Sequence, residues 1–222
     1  MTALDRFRGA WKLLASRLGL AEVATAVGDH YLVEQYTAAG RHYHGVGHIV
    51  HLLDEAGALP ALLREGEAAG LALFFHDAVY DPSRDDNEAQ SAAALRQLMT
   101  GAVAEPILAR AEAMVLATHR HETTGDAGID AFLDVDLSIL AARWDDYALY
   151  ADGVRREYAP VIGEEAFRQG RLDLFLRPML ARGRIFLTDR FTPRDPVALA
   201  NLRREAEILA SGHDVRPPRS ST

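Results

Sequence analysis

Apolar residues recur along this chain at three- and four-residue steps almost from end to end. Leu4, Phe7, Trp11, Leu14 and Leu18 form the first such stripe, the mark of an amphipathic helix that buries one face. The same period predicts a second helix over residues 23–36, a break at Gly40, and a third helix that begins within 44–48 and runs to 56. Residues 67–79 are apolar nearly all round, which predicts a buried central helix. The segment Tyr80-Asp81-Pro82-Ser83-Arg84-Asp85-Asp86 predicts a loop, because Pro82 cannot continue a helix and the aspartates suit the cap of the next one. Helices are then predicted over 87–99, from the first-turn Pro106 to 118, and, after a polar loop at 119–128, over 131–141, 144–158, 164–181 and 196–209. No segment alternates with the period of a strand, and no internal repeat is present. The pattern therefore predicts an all-α fold. One helical domain covers residues 1–212, and a polar tail at 213–222, with Pro217-Pro218, is expected to be disordered.

Composition narrows the function. The chain has 222 residues, 49% of them hydrophobic and 25% charged, as in an ordinary globular protein. A net charge of -8 argues against a broad electrostatic grip on DNA or RNA, so no polymeric nucleic acid is expected as a partner. A small phosphorylated substrate stays compatible with that charge, because a bound cation supplies positive potential locally. There are no cysteines, so any metal must be held by nitrogen and oxygen ligands. The longest apolar run, 68–75, is far short of the roughly 18–20 residues that span a bilayer, and the first twenty residues hold no run suited to a signal peptide. A cytoplasmic protein without a membrane partner is expected.

His76-Asp77, at the end of that run, is the first candidate chemistry. A buried ionised carboxylate pairs, neutralises or binds a cation, and a metal shared with the imidazole would compensate both groups. An ion pair or a capping carboxylate is the plainer alternative. Upstream, His44 and His48 are four residues apart and would share one side of a helix, with His51 able to join them. Gly45 and Gly47 between them weaken that helix, and solvated or capping histidines are the alternative. Downstream, Asp134 and Asp136 would point to different sides of a helix, so one site takes only one of them; a helix start is their alternative role.

The order His, His-Asp, Asp within an all-helical pattern resembles the HD superfamily of metal-dependent phosphohydrolases. Arg41-His42-Tyr43-His44 with His48-Ile49 resembles the opening found also in cyclic nucleotide phosphodiesterases, and Phe75-His76-Asp77-Ala78-Val79-Tyr80 matches the HD doublet. Leu116-Ala117-Thr118 and Asp136-Leu137-Ser138 are shorter likenesses to the same enzymes. A bacterial group of predicted HD phosphohydrolases is more closely similar, through Asn87-Glu88 with Ser91-Ala92, residues 134–140, Arg155-Arg156-Glu157-Tyr158 and Asn201-Leu202-Arg203-Arg204-Glu205. The likeness covers most of residues 4–210 and implies a single HD-domain helical bundle.

The resemblance implies a metal set of His48, His76, Asp77 and Asp136, with His44 as the acid or phosphate contact. The donor set suits Mn²⁺, Mg²⁺, Fe²⁺, Ni²⁺, Co²⁺ or Zn²⁺. Asp77 would bind the ion and help orient water, and Glu88 would order a water or accept from a substrate hydroxyl, with an exposed first-turn glutamate as the alternative. His119 and His121, in the polar loop, are candidate phosphate contacts, with solvated loop histidines as the alternative. Arg155, Arg156, Arg171 and Arg184 are candidate phosphate clamps, since the guanidinium fork fits phosphate oxygens, with solvated arginines on amphipathic helices as the alternative. Trp11 and Trp144 are most economically core residues. The expected function is metal-dependent hydrolysis of a small phosphorylated metabolite, with nucleotides foremost. The alternatives are a di-iron HD oxygenase, which would enlist His119 or His121 for a second metal, and a non-catalytic, metal-stabilised nucleotide-binding module.

Overall fold

A computed structural model describes residues 1–57 and 60–216, without side chains at 60–64. The described residues are all-α: helices joined by turns, with no strand beyond one isolated bridge between Thr100 and Val103. Among them no helix is long and apolar enough to cross a membrane. The chain gathers into two compact units, Met1–Val135 and a second that begins at Asp136.

The first unit holds α1 (Ala3–Arg17), α2 (Glu22–Tyr36), α3 (Val46–Ala56), α4 (Pro60–Phe75), α5 (Asn87–Met99), α6 (Glu105–Ala117) and all but the last residue of α7 (Ala127–Asp136). Thr2 starts α1: its hydroxyl accepts from Asp5 N at 3.1 Å and its own N–H donates to Asp5 Oδ2 at 2.8 Å, which satisfies two otherwise orphaned donors. The apolar stripe of α1 then buries Phe7, Trp11 and Leu14. Phe7 and Trp11 meet Phe74 of α4 edge-on, with ring centroids 5.1 and 5.4 Å apart. Each such pair adds about 0.5–1.5 kcal/mol beyond area burial. Tyr36 donates its hydroxyl to Phe74 O at 3.0 Å. The end of α4 is thereby anchored on α1 and α2 immediately before His76.

Two of the helix limits that differ from expectation lie at residues of chemical interest. The buried helix predicted over 67–79 ends at Phe75, so His76 and Asp77 lie in a turn. That turn is closed by Ala78 N donating to Phe75 O at 3.1 Å. Upstream, Gly66 leaves helical geometry (φ 50°, ψ −113°) and separates the start of α4 from its buried part. The third helix begins at Val46, with extended Gly45 as its N-cap. His44 therefore precedes α3, and the expected shared helix side for His44 and His48 does not form.

Arg110 braces α7, which ends at Asp136. Its guanidinium donates to Glu65 at 2.7 and 2.9 Å and to Asp126 at 2.6 and 2.9 Å. Asp126 in turn accepts from Gly128 N and Ile129 N at 2.9 and 3.1 Å, the first donors of the helix. A Cβ at position 128 would lie 2.2 Å from Glu65 Oε1, so a larger residue there displaces the Glu65–Arg110 pair.

The second unit opens with a 3-10 turn over Leu137–Ala141, where a continued helix was predicted, and goes on through α8 (Trp144–Ile162), α9 (Glu164–Gly170), α10 (Arg177–Arg182) and α11 (Asp195–Ala210). The helix predicted over 164–181 is continuous in path, but Arg171–Leu176 between α9 and α10 widens to π geometry. Asn201 of α11 donates to Leu140 O and Ala142 O at 2.9 Å each and fixes the opening turn. Of the predicted tail, residues up to 216 are described. Val215 is buried, and Asp214 pairs with Arg168 at 3.2 Å. Residues 217–222 lie outside the described residues.

Candidate metal centre

His48 lies in the first turn of α3, His76 and Asp77 in the turn after α4, and Asp136 at the end of α7. One ligand atom each from His48, His76 and Asp136 lies within 4.8 Å of the others, so this group can hold a metal ion. His48 and His76 are buried and Asp136 is half-buried. Asp134, which α7 turns to another side, is fully buried and stands outside this group. Asp77 joins the two histidines: its Oδ2 is 3.5 Å from His48 Nε2 and 3.1 Å from His76 Nε2. The two Nε2 atoms are 3.2 Å apart.

Hydrogen-bond chemistry tests the fit to a cation. His76 Nδ1 lies 3.1 Å from Leu73 O. A carbonyl only accepts, so Nδ1 carries the hydrogen, and in a neutral ring Nε2 then presents a lone pair. That lone pair faces the carboxylate oxygen of Asp77, another acceptor. A shared proton or a metal ion at that edge would make the approach favourable. Metal bonds of about 2.1 Å place neighbouring ligand atoms about 3.0–3.4 Å apart, close to the spacing found here. The carbonyl behind His76 is also the usual partner of a ligating imidazole. Burial opposes the charge on Asp77, but His76, His44 and His48 outweigh it and hold the carboxyl well below the usual carboxylate range.

His44 stands in the segment before α3. Its ring stacks on Tyr80 with centroids 4.3 Å apart and meets His48 edge-on at 5.8 Å. Glu88, in the first turn of α5, is 3.1 Å from His119 Nδ1 through its Oε2. Serine and asparagine of the same motif brace the segment after the HD turn. Ser91 Oγ accepts from Val79 N at 3.0 Å and donates to Val79 O at 3.2 Å, while Asn87 bonds both backbone groups of Asp81 at 2.9 and 3.0 Å. His119 also lines a cavity of about 280 Å³ with Arg120, Glu122, Thr123 and Thr124. His121 is the one non-glycine residue with positive φ (47°) among those described and is not part of that lining.

Three of the four candidate arginines are otherwise engaged, and Arg156 is exposed on α8. Arg155 lies in α8 of the second unit and pairs with Asp152 at 3.0 Å and Glu164 at 2.7 Å. Arg171 pairs with buried Glu205, and Arg184 donates to the carbonyls of Phe186 and Leu187. Trp11 is fully buried, as its place in the stripe predicts. Sequence reasoning missed Arg41, which it met only as the first letter of a motif. Its side chain reaches backbone carbonyls on both sides of the cluster, and only its place three residues before His44 pointed to it.

No protein-family model, curated protein or solved structure matches this chain.

Proposed function

We propose that this chain is a divalent-metal-dependent phosphohydrolase of the HD kind, acting on a small phosphorylated metabolite, with nucleotides the leading class. The observation that carries the reading is the convergence of His48 Nε2, His76 Nε2 and Asp77 Oδ2 within 3.1–3.5 Å of one another, with Asp136 beside the two imidazoles. His48, His76, Asp77 and Asp136 would hold the ion. When bound, a divalent cation lowers the pKa of water and offsets phosphate charge, which is the chemistry that phosphoester hydrolysis needs.

The protein's own groups supply the rest. Asp77 orients the attacking water through its carboxylate. His44, held against Tyr80, donates a proton to the leaving oxygen. Glu88 accepts from His119 Nδ1–H and orients the ring in the cavity wall; the protonated ring donates from Nε2–H to a phosphate oxygen. The net charge of -8 favours a compact anion over a long polyanion.

The Glu88–His119 pair also motivates a second reading, a di-iron oxygenase in which those two groups take a second ion. Elemental analysis followed by a substrate screen separates the cases. The phosphohydrolase reading predicts about one ion per chain and phosphate or pyrophosphate release from a metabolite panel with Mn²⁺, Mg²⁺, Ni²⁺ or Co²⁺. Two irons per chain with O₂ consumption would support the oxygenase. Bound metal with no turnover of any panel member would leave a metal-stabilised binding module.

A further inference from the structure

Because His44 stands outside α3, helix hydrogen bonds do not set its position. Arg41 grips it instead: Nη1 donates to His44 O at 2.8 Å. The same Nη1 donates to Asp77 O at 2.7 Å, and Nη2 donates to Ala78 O at 2.9 Å. One planar guanidinium thus joins the segment bearing His44 to the turn bearing His76 and Asp77. The Tyr36 and Tyr80 rings each lie 5.2 Å from its Cζ. Tyr80 is the ring on which His44 stacks, and Tyr36 is tied to Phe74 O at the end of α4. Among the described residues Arg41 makes no ion pair with a carboxylate, so it acts on carbonyl positions and not as half of a salt bridge.

We propose that Arg41 is a positioning residue for this site: its guanidinium sets His44 and the His76-Asp77 turn as one rigid unit. The inference rests on the metal-centre reading above. A rigid fork with parallel donors is needed to span three carbonyls, and a lysine ammonium is a single point that cannot do so.

Cobalt(II) alone is the probe, titrated into the full-length metal-free chain as wild type, Arg41→Lys and Arg41→Ala. Kd and the visible absorption band are read beside far-UV circular dichroism and the thermal midpoint. Wild type should bind, and both variants should bind about tenfold or more weakly with a changed band, the usual cost of losing a group behind a ligand. Should Arg41→Ala fail to fold, Arg41→Lys decides, since it keeps the charge and the contact with the tyrosine rings. Variants with a lowered midpoint but wild-type Kd and band would overturn the positioning role. Wild type that binds cobalt while both variants match it in every respect would do the same and leave the metal centre standing. Wild type that binds no cobalt would overturn the metal-centre reading and this inference with it.

Discussion

In the second unit, Arg171 and Glu205 bury opposite charges, with side chains 8% and 2% exposed. Arg171 donates to the two carboxylate oxygens at 3.0 and 3.3 Å and to Tyr150 Oη at 2.8 Å, and Tyr147 donates its hydroxyl to the same carboxylate. Burial favours a neutral Arg171, but Glu205 and the two tyrosines opposite hold its pKa far above the usual value. In the first unit, the side chains of His48 and His76 are 2% and 1% exposed beside the carboxylate of Asp77. Here the facing atoms are Lewis bases. The first is an arginine–carboxylate pair joined by two tyrosines, and the second is a group that can hold a metal ion. Burial of charge by itself therefore says little about function; what distinguishes the two clusters is the chemistry of the groups that face each other.

The sharpest way to break this comparison is to remove a metal ligand. His76→Ala should abolish divalent metal binding and the activity that depends on it, with metal content read by elemental analysis. His44→Ala should retain most of its metal and lose turnover by about 10²–10⁴-fold, as expected for a lost proton donor. A metal-free His44→Ala protein would merge the two roles.

The next largest effect lies in the second unit. Glu205→Gln leaves Arg171 buried without its counter-charge and should cost about 3–5 kcal/mol of stability. Its thermal midpoint should fall, yet Mn²⁺ should still raise that midpoint, because the metal ligands are untouched. In His76→Ala the Mn²⁺-induced rise should vanish. If both variants lost that rise equally, the two clusters would not be the separate devices described here.

The smallest effect concerns the loop before α7. Asp130 accepts from Thr123 Oγ1, Thr124 N and Thr124 Oγ1, each at 2.8 Å. Burial opposes its ionisation, but these donors win and lower its pKa. A carboxyl depressed in the folded state stabilises fully above its unfolded pKa of about 3.9, and that contribution fades as pH falls through the folded value. Asp130→Asn should cost about 1–3 kcal/mol at neutral pH. The gap between its midpoint and that of wild type should narrow below about pH 4. A gap that widens on acidification would contradict the assigned direction.

Much of the fold was legible because helical periodicity is a local signal. The stripe from Leu4 to Leu18 became α1, and the bounds read for 87–99 are those of α5. The departures arise where local signals are silent. Apolar residues 71–79 suit a helix equally well beyond Phe75, and the turn there is set by tertiary contacts of Phe74 and the grip of Arg41 on Asp77 O and Ala78 O. A π widening at Arg171–Leu176 leaves no mark in a three- or four-residue period. For the candidate site, residue types left Asp134 and Asp136 both open; the resemblance chose Asp136 with His48 and His76, and the fold brings these three together. The carbonyl-binding part of Arg41 was invisible because backbone acceptors have no residue code.

The account stands on one cation between two imidazoles, and anomalous scattering from crystals grown with Mn²⁺ or Co²⁺ sees it directly. Data collected at the metal's absorption edge should give a peak bonded to His48 Nε2 and His76 Nε2, with carboxylate ligands from Asp77 and Asp136. A map without that peak, at saturating metal and with the two Nε2 atoms still 3.2 Å apart, would mean that a proton and not a metal holds the cluster together.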